Sequence, residues 1–252
     1  MANPMLFTIS AQLEQGHDLS VANLDFALRY LSHYGYLKDP NLAQDNVMEA
    51  AKMFQSAYGI ESDGIIGPQT LEAIWVPRCG VRDDAFTLAA KWRKRELRWW
   101  VDRYLEGIPG LSRFDQDDLQ ILSLQDYESV IDVKWSRAAN RSQADLLVSV
   151  GEGRVDQMDG PGGVLAWCEI PQGNDQPVRM KFDKGDIWIK SADQNQRGII
   201  YGNVDRHEKG HGHGMLHISG ETALLNPFYS PQVGKLLGPD KKALLALGYA
   251  KP

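Results

Sequence analysis

Cysteine is nearly absent from this sequence of 252 residues: Cys79 and Cys168 are the only two, too few for a disulfide framework. They leave the redox compartment open. No long basic run occurs and the formal net charge is −6, which argues against nucleic acid as a partner. No apolar stretch approaches the length that spans a bilayer. Met1 to Ser10 has neither a basic n-region nor a long apolar h-region, so no signal peptide is expected there. The bulk composition, 43% hydrophobic and 24% charged, suits one large globular domain or two modest ones. Histidine is unevenly spread: none lies between His33 and His207, whereas His207, His211, His213 and His217 fall together.

That cluster reads H-E-x-x-H-x-x-G-x-x-H from His207 to His217. Histidines four apart share one helical face, so His207 and His211 can meet on one metal ion. Gly214 permits the turn that ends the helix, and His217 returns as a third ligand. Three neutral imidazoles leave a tetrahedral zinc one open position for water. Glu208 then projects beside that water, placed to take its proton during attack on a carbonyl. A structural zinc is usually closed by a fourth protein ligand. His213 stands two residues from His211 and is expected to point away. The run matches the metzincin peptidase signature.

Residues 18 to 76 read as short helices that must pack on one another. Leu24, Leu28 and Leu31 share a face, Val47, Ala50, Ala51 and Phe54 another, and Leu71 and Ile74 a third. Tyr34-Gly35-Tyr36-Leu37 breaks the first helix, Asp39-Pro40 marks a loop, and Pro68 suits the first position of a helix. The run Phe54–Ile60 with Asp63–Leu71 resembles the peptidoglycan-binding-like three-helix domain. Some members of that family hold cell-wall glycan; others are propeptides of matrixins, the matrix metalloproteinases. Pro77-Arg78-Cys79-Gly80-Val81-Arg82-Asp83 resembles the matrixin cysteine switch, with Arg82 where the family has proline. A thiolate on zinc would block the water site. Cys79 is thus the expected zinc ligand of a latent form, with Gly80 allowing close approach.

Farther along, Trp92, Trp99 and Trp100 are expected to anchor a strand, with Lys91–Arg95 read alternatively as a solvated linker end. Asp115 to Trp135 reads as one long helix with Leu119, Leu122, Val130, Val133 and Trp135 as its apolar positions. Ala144 to Val150 reads as a buried strand. Asp159–Ala166 with Phe182–Trp188 resembles the matrixin sheet and calcium loop. Asp159, Asp183 and Asp186 would supply carboxylates, and Gly160, Gly162 and Val164 carbonyls, oxygen donors that suit calcium. Asp186 stands where the family has glutamate. Trp167 and Lys181 occupy positions where matrixins carry histidines for a second zinc, so a single zinc is expected. Leu225 holds the register of the Met-turn methionine, a volume-conserving change costing less than about 1.5 kcal/mol. Pro239 to Tyr249 reads as a closing helix with Leu244, Leu245 and Leu247 buried.

The resemblance implies an α/β (α+β) metzincin domain with a mixed twisted sheet and an active-site helix, preceded by a small three-helix domain. The expected division is 1–76 for the helical propeptide domain, 77–90 for the switch and linker, and 91–252 for the peptidase domain. Peptide substrate should lie along Gly163, Leu165 and Ala166, with Pro227 and Tyr229 walling a side-chain pocket. The resemblance also implies a secreted or extracellular protein. The alternatives are a cell-wall-binding module fused to a peptidase, and a non-catalytic zinc-binding protein whose Cys79 never leaves.

Overall fold

The computed structural model describes residues 21–38, 43–84, 90–191, 197–220 and 222–249. Met1–Ser10, the loop at Asp39-Pro40 and residues 85–89 of the linker lie outside them. The chain divides into two units: Met1–Val76 with Arg82–Asp84, and Pro77–Val81 with Ala85–Pro252.

In the first unit, helices α1 (Val21–His33), α2 (Gln44–Tyr58) and α3 (Pro68–Ile74) bury the expected faces. Leu24, Leu28 and Leu31 are buried, as are Ala50, Ala51, Phe54, Leu71 and Ile74. Buried Gln55 ties the Asp63–Pro68 turn to this core. Its amide donates to Asp63 Oδ1 (2.7 Å) and Thr70 Oγ1 (2.9 Å), and its Oε1 accepts from the Gly64 amide (2.8 Å). The Tyr34–Tyr36 break receives the segment 82–84. The Asp83 amide donates to the Tyr34 carbonyl (3.1 Å) and the Tyr36 hydroxyl to the Asp83 carboxylate. Arg82 forks onto Asp84 at 2.8 and 2.9 Å.

The second unit is built on a six-stranded mixed sheet. Its strands are β1 (Arg78–Cys79), β2 (Glu96–Val101), β3 (Lys134–Arg137), β4 (Leu146–Gly151), β5 (Val164–Cys168) and β6 (Val178–Asp183). They lie in the order β1-β5-β6-β4-β2-β3, with only the β5–β6 pair antiparallel. A two-stranded sheet of β7 (Trp188–Ile189) and β8 (Ile199–Ile200) stands apart. Helices α4 (Arg113–Val130), α5 (Tyr201–Gly212) and α6 (Gly238–Ala246) complete the unit. Among the described residues, no helix is long and apolar enough to cross a membrane.

Three expectations are corrected. The stretch from Asp115 to Trp135 is not one helix. Ser112 caps α4, its hydroxyl accepting from the Asp115 amide (3.2 Å) while Asp115 accepts from the Ser112 amide (2.8 Å). The helix ends at Val130, and Trp135 sits on β3. Leu122 is 52% exposed, because the inner face of α4 is Gln116, Gln120, Ser123, Leu124 and Tyr127. Trp92 lies outside the strand yet is buried, its indole donating to the Gly212 carbonyl (2.7 Å) at the end of α5. Leu245 is 44% exposed, whereas Leu244 alone of the α6 leucines is fully buried.

The polar face of α4 meets a polar face of α5. Lys209, fully buried, gives all three of its ammonium protons to α4 and its own helix: Asp205 Oδ2 (2.6 Å), Ser123 Oγ (2.6 Å) and the Gln120 carbonyl (3.0 Å). Gln120 in turn donates to Asp205 Oδ1 (2.6 Å) and the Tyr201 hydroxyl (2.7 Å). Burial lowers the Lys209 pKa to about 8, and the Asp205 charge opposes that shift. This network fixes the rotation of α5 about its axis, and so fixes which residues face the cleft. Lys209→Met leaves Asp205 as an uncompensated buried charge. The expected loss is about 3–5 kcal/mol of unfolding free energy in urea. A value within about 1 kcal/mol of the parent would mean that the pair does not hold the helix.

Candidate metal centre and cleft

Helix α5 carries His207 and His211 on one face and ends where Gly214 adopts φ +97°. A side chain at Gly214 would come within 2.3 Å of the Ala90 carbonyl oxygen, so the turn that returns His217 requires glycine. Gly210 inside α5 also has a packing reason. A Cβ on Gly210 would lie 2.8 Å from Leu225 and 2.9 Å from the Tyr127 hydroxyl.

Each buried imidazole is oriented from behind. His207 Nδ1 lies 2.7 Å from the Leu224 carbonyl and His211 Nδ1 lies 2.8 Å from the Met215 carbonyl. A carbonyl only accepts, so both Nδ1 atoms carry the proton and both Nε2 atoms are bare. Those bare atoms nevertheless face each other at 3.2 Å, and His211 Nε2 lies 3.2 Å from His217 Nε2. Cys79 Sγ completes the group, 3.5 Å from His211 Nε2. One ligand atom from each of Cys79, His207, His211 and His217 lies within 4.8 Å of all the others, the only such group of His, Cys, Asp or Glu among the described residues. Zinc–nitrogen bonds of about 2.0–2.1 Å and a zinc–sulfur bond of about 2.3 Å set tetrahedral edges of about 3.3 and 3.5 Å. The donor set therefore fits a tetrahedral zinc.

Burial favours the neutral forms of the titratable groups gathered here. Burial, and next the neighbouring His217, lower the His207 pKa to about 3. Burial, and next the Glu208 charge, push the Cys79 thiol well above its ordinary range. Glu208 is fully buried and neither carboxylate oxygen has a hydrogen-bond partner. Burial raises its pKa to about 8; the Cys79 thiol and the Cys168 amide lie near enough to oppose that shift without ordinary bonding geometry.

His213 faces away from the group. Its Nε2 accepts from the Trp135 indole (3.0 Å), its Nδ1 meets the Lys209 carbonyl (2.6 Å), and its ring stacks on Tyr127. Leu225 is fully buried beneath α5. Sequence reasoning missed what holds its turn: the buried carboxylate of Asp240, which accepts from the Leu224 (3.0 Å), Leu225 (3.1 Å) and Leu237 (2.9 Å) amides. The only sequence signal was an acid three residues into α6, which also reads as an ordinary helix start.

The expected peptide cleft is lined by the chain itself. Arg78 and Cys79 pair in parallel with β5, the Arg78 amide donating to Gly163 O (2.7 Å) and the Gly80 amide to Ala166 O (2.7 Å). On the other side the Cys79 amide donates to Pro227 O (2.9 Å) and the Tyr229 amide to Pro77 O (2.9 Å). A Cβ on Gly80 would meet Val164 at 2.8 Å, which explains glycine beside the thiol. Leu165 joins Val204, Pro227 and Tyr229 around a small cavity of about 40 Å³ next to His207 and Glu208.

At the glycine-rich loop, Asp159 accepts from the Val164 amide (2.9 Å), Asp183 from Gly160 (2.9 Å) and Asp186 from Gly162 (2.8 Å). Asp186 Oδ2 is buried without a partner. Burial raises the Asp159 pKa to about 6 and the Asp186 pKa to about 7, with the neighbouring aspartates adding to both. Trp167 and Lys181 join through Asp156: the indole donates to its carbonyl (2.8 Å) and the ammonium pairs with its carboxylate.

Comparison with known proteins follows the same division. The matrixin sequence model matches residues 91–247, and the model described as a putative peptidoglycan binding domain matches residues 24–74. The chain is similar to human matrix metalloproteinase-17, at 26% identity over 84% of this chain and 38% of that protein. Mouse matrix metalloproteinase-19 is 27% identical over 94% of this chain and 46% of its own length. Mouse stromelysin-1 is 30% identical over 82% and 44%. The chain thus spans less than half the length of these relatives. With the matrixin model covering most of the second unit, and the histidine-bearing helix inside that match, the chain belongs to the matrixin family.

Proposed function

We propose that this chain is the latent form of a zinc endopeptidase, held inactive by Cys79. The observation that carries the reading is the Cys79 thiol grouped with three imidazoles whose spacing suits one tetrahedral zinc. His207, His211 and His217 would hold the metal, and Cys79 would take its fourth position. Bound zinc supplies Lewis acidity, polarising the scissile carbonyl and making a water more acidic. Once the thiol leaves, Glu208 accepts a proton from the attacking water and returns it to the departing amine, so its charge is restored each turnover. Its unpartnered, buried carboxylate leaves both oxygens free for that work. The Leu224 and Met215 carbonyls keep the imidazoles in the ligating tautomer.

Peptide substrate would take the place of Pro77–Gly80 between β5 and Pro227–Tyr229. Gly163, Ala166, Pro227 and Tyr229 already bond a backbone there. The cavity beside Leu165, Pro227 and Tyr229 would receive a side chain. The division of labour proposed is 1–76 as inhibitory domain, 77–90 as switch and linker, and 91–252 as peptidase.

A calcium ion at the glycine-rich loop is the second metal of this reading. Clustered Asp159, Asp183 and Asp186, with Asp183 buried and one oxygen of Asp186 unpartnered, support it. Asp159 and Asp186 would turn toward the ion, with carbonyls of Gly160, Gly162 and Val164 adding oxygens.

Three outcomes are expected. Glu208→Gln retains one zinc per chain by metal analysis and loses about 10²–10⁴-fold in peptide hydrolysis; near-parental rates with zinc bound would remove the carboxylate from the chemistry. Intact Cys79→Ala cleaves peptide faster than the intact parent, while a chain beginning near Ala85 cleaves fastest. If both intact proteins are equally silent and the shortened one cleaves, the thiol is not the lock. Calcium at a hundredfold excess over its Kd raises the thermal midpoint by about 5–10 °C, and Asp186→Asn abolishes most of that rise. A midpoint indifferent to calcium and to chelation would rule the site out.

A further inference from the structure

We propose that the open face of the sheet carries a second binding site, for a sulfated polysaccharide. β4 and β6 pair in parallel, with Leu147 opposite Arg179 and Ser149 opposite Lys181. Alternation along a strand puts these four side chains on one face. It is the face opposite Leu146, Val148, Met180 and Phe182, which pack into the core beneath the helices. Arg103 follows the end of β2, and Arg141 comes from a short 3-10 turn, Arg141–Gln143. Together they line a concave site of about 450 Å³ that gathers Arg103, Arg141, Arg179 and Lys181; Asp102 is in its lining, and Glu169 and Asp156 pair with Arg179 and Lys181 from beside it.

The charge is only partly compensated. Arg103 donates to Val150 O (2.7 Å) and Ser149 Oγ (3.3 Å), neutral acceptors that orient the guanidinium without cancelling its charge. Arg141 pairs with Asp102 at 2.8 Å and Arg179 with Glu169, but their side chains are 64% and 58% exposed. Exposed pairs of this kind contribute little and exchange partners readily. Lys181 is better covered and stays with Asp156. Four cations against three paired carboxylates leave the site one positive charge in excess, centred on Arg103, on a chain of net charge −6.

The lining selects the ligand. Planar guanidinium groups bind tetrahedral oxyanions through paired N–H donors. The only aromatic ring against these cations among the described residues is Trp167, which lies buried beneath Arg179 and Lys181 and offers no open face on which bases would stack. The volume admits a sugar or two rather than one small ion. A polymer with repeated sulfates engages several arginines at once, which a monoanion cannot do. The site lies outside the proposed catalytic cleft, so it does not depend on the peptidase reading.

The full chain, titrated with heparin at low salt and neutral pH, is expected to bind despite its net negative charge. The affinity should fall with salt, with a logarithmic slope of about −2 to −3. Arg103→Ala combined with Arg179→Ala should weaken binding about 10-fold or more, with the thermal midpoint unchanged. Absence of binding would overturn the proposal, as would equal binding by the double variant. Equal or tighter binding of an unsulfated polyuronate would overturn sulfate recognition, and equal or tighter binding of a single-stranded DNA oligonucleotide would point to nucleic acid instead.

Discussion

Two unprotonated imidazole nitrogens face each other at 3.2 Å in the interior of this protein. With no proton to share, their lone pairs repel, and the pair persists only because the surroundings hold it or a cation joins it. Much of the second unit serves that constraint. Carbonyls from Leu224 and Met215 fix the tautomers, and Asp240 fixes the Leu224 turn through three amides. Trp92 closes the end of the helix that carries both imidazoles. Each support is an ordinary hydrogen bond, worth about 1 kcal/mol net. Their collective role is orientation.

The same helix is governed from its far side by charge. Lys209 directly follows Glu208, and a residue one step along a helix points about 100° away. Burying Lys209 against Asp205, Ser123 and Gln120 therefore determines where Glu208 points. An apolar contact would allow small rotations of α5 on α4; two directed bonds from one ammonium to Gln120 and Ser123 do not. This explains why α4 carries glutamine and serine on its inner face, against the usual pattern for a core helix.

An edge strand is an unfinished hydrogen-bonding surface. Here β5 would be such an edge, and residues 78–79 complete it as β1 while residues 77–80 bond the Pro227–Tyr229 segment on the other side. One short stretch of chain thus satisfies two open backbone edges and delivers a thiol to the imidazoles. The segment just after it, Arg82–Asp84, belongs to the helical unit. Where the family has proline, Arg82 gains order from its fork onto Asp84.

The sequence alone carried what is local and periodic. The four-residue spacing of His207 and His211, the glycine at 214 and the three apolar helical faces of the first unit follow from helix geometry, which needs no tertiary information. Other features were decided only by tertiary structure. The boundary between α4 and β3 was invisible because Val133 and Trp135 are apolar in either reading. Leu122 and Leu245 fit the apolar pattern but face solvent, since burial depends on what packs opposite. Nothing local marks Asp240, Lys209 and Asp205 for burial, which depends on partners 15 to 89 residues away in sequence. Backbone pairing of residues 77–80 leaves no mark on side-chain identity beyond Gly80. A motif records which atoms can meet, whereas the fold decides which ones are held, because holding requires groups that are distant along the chain.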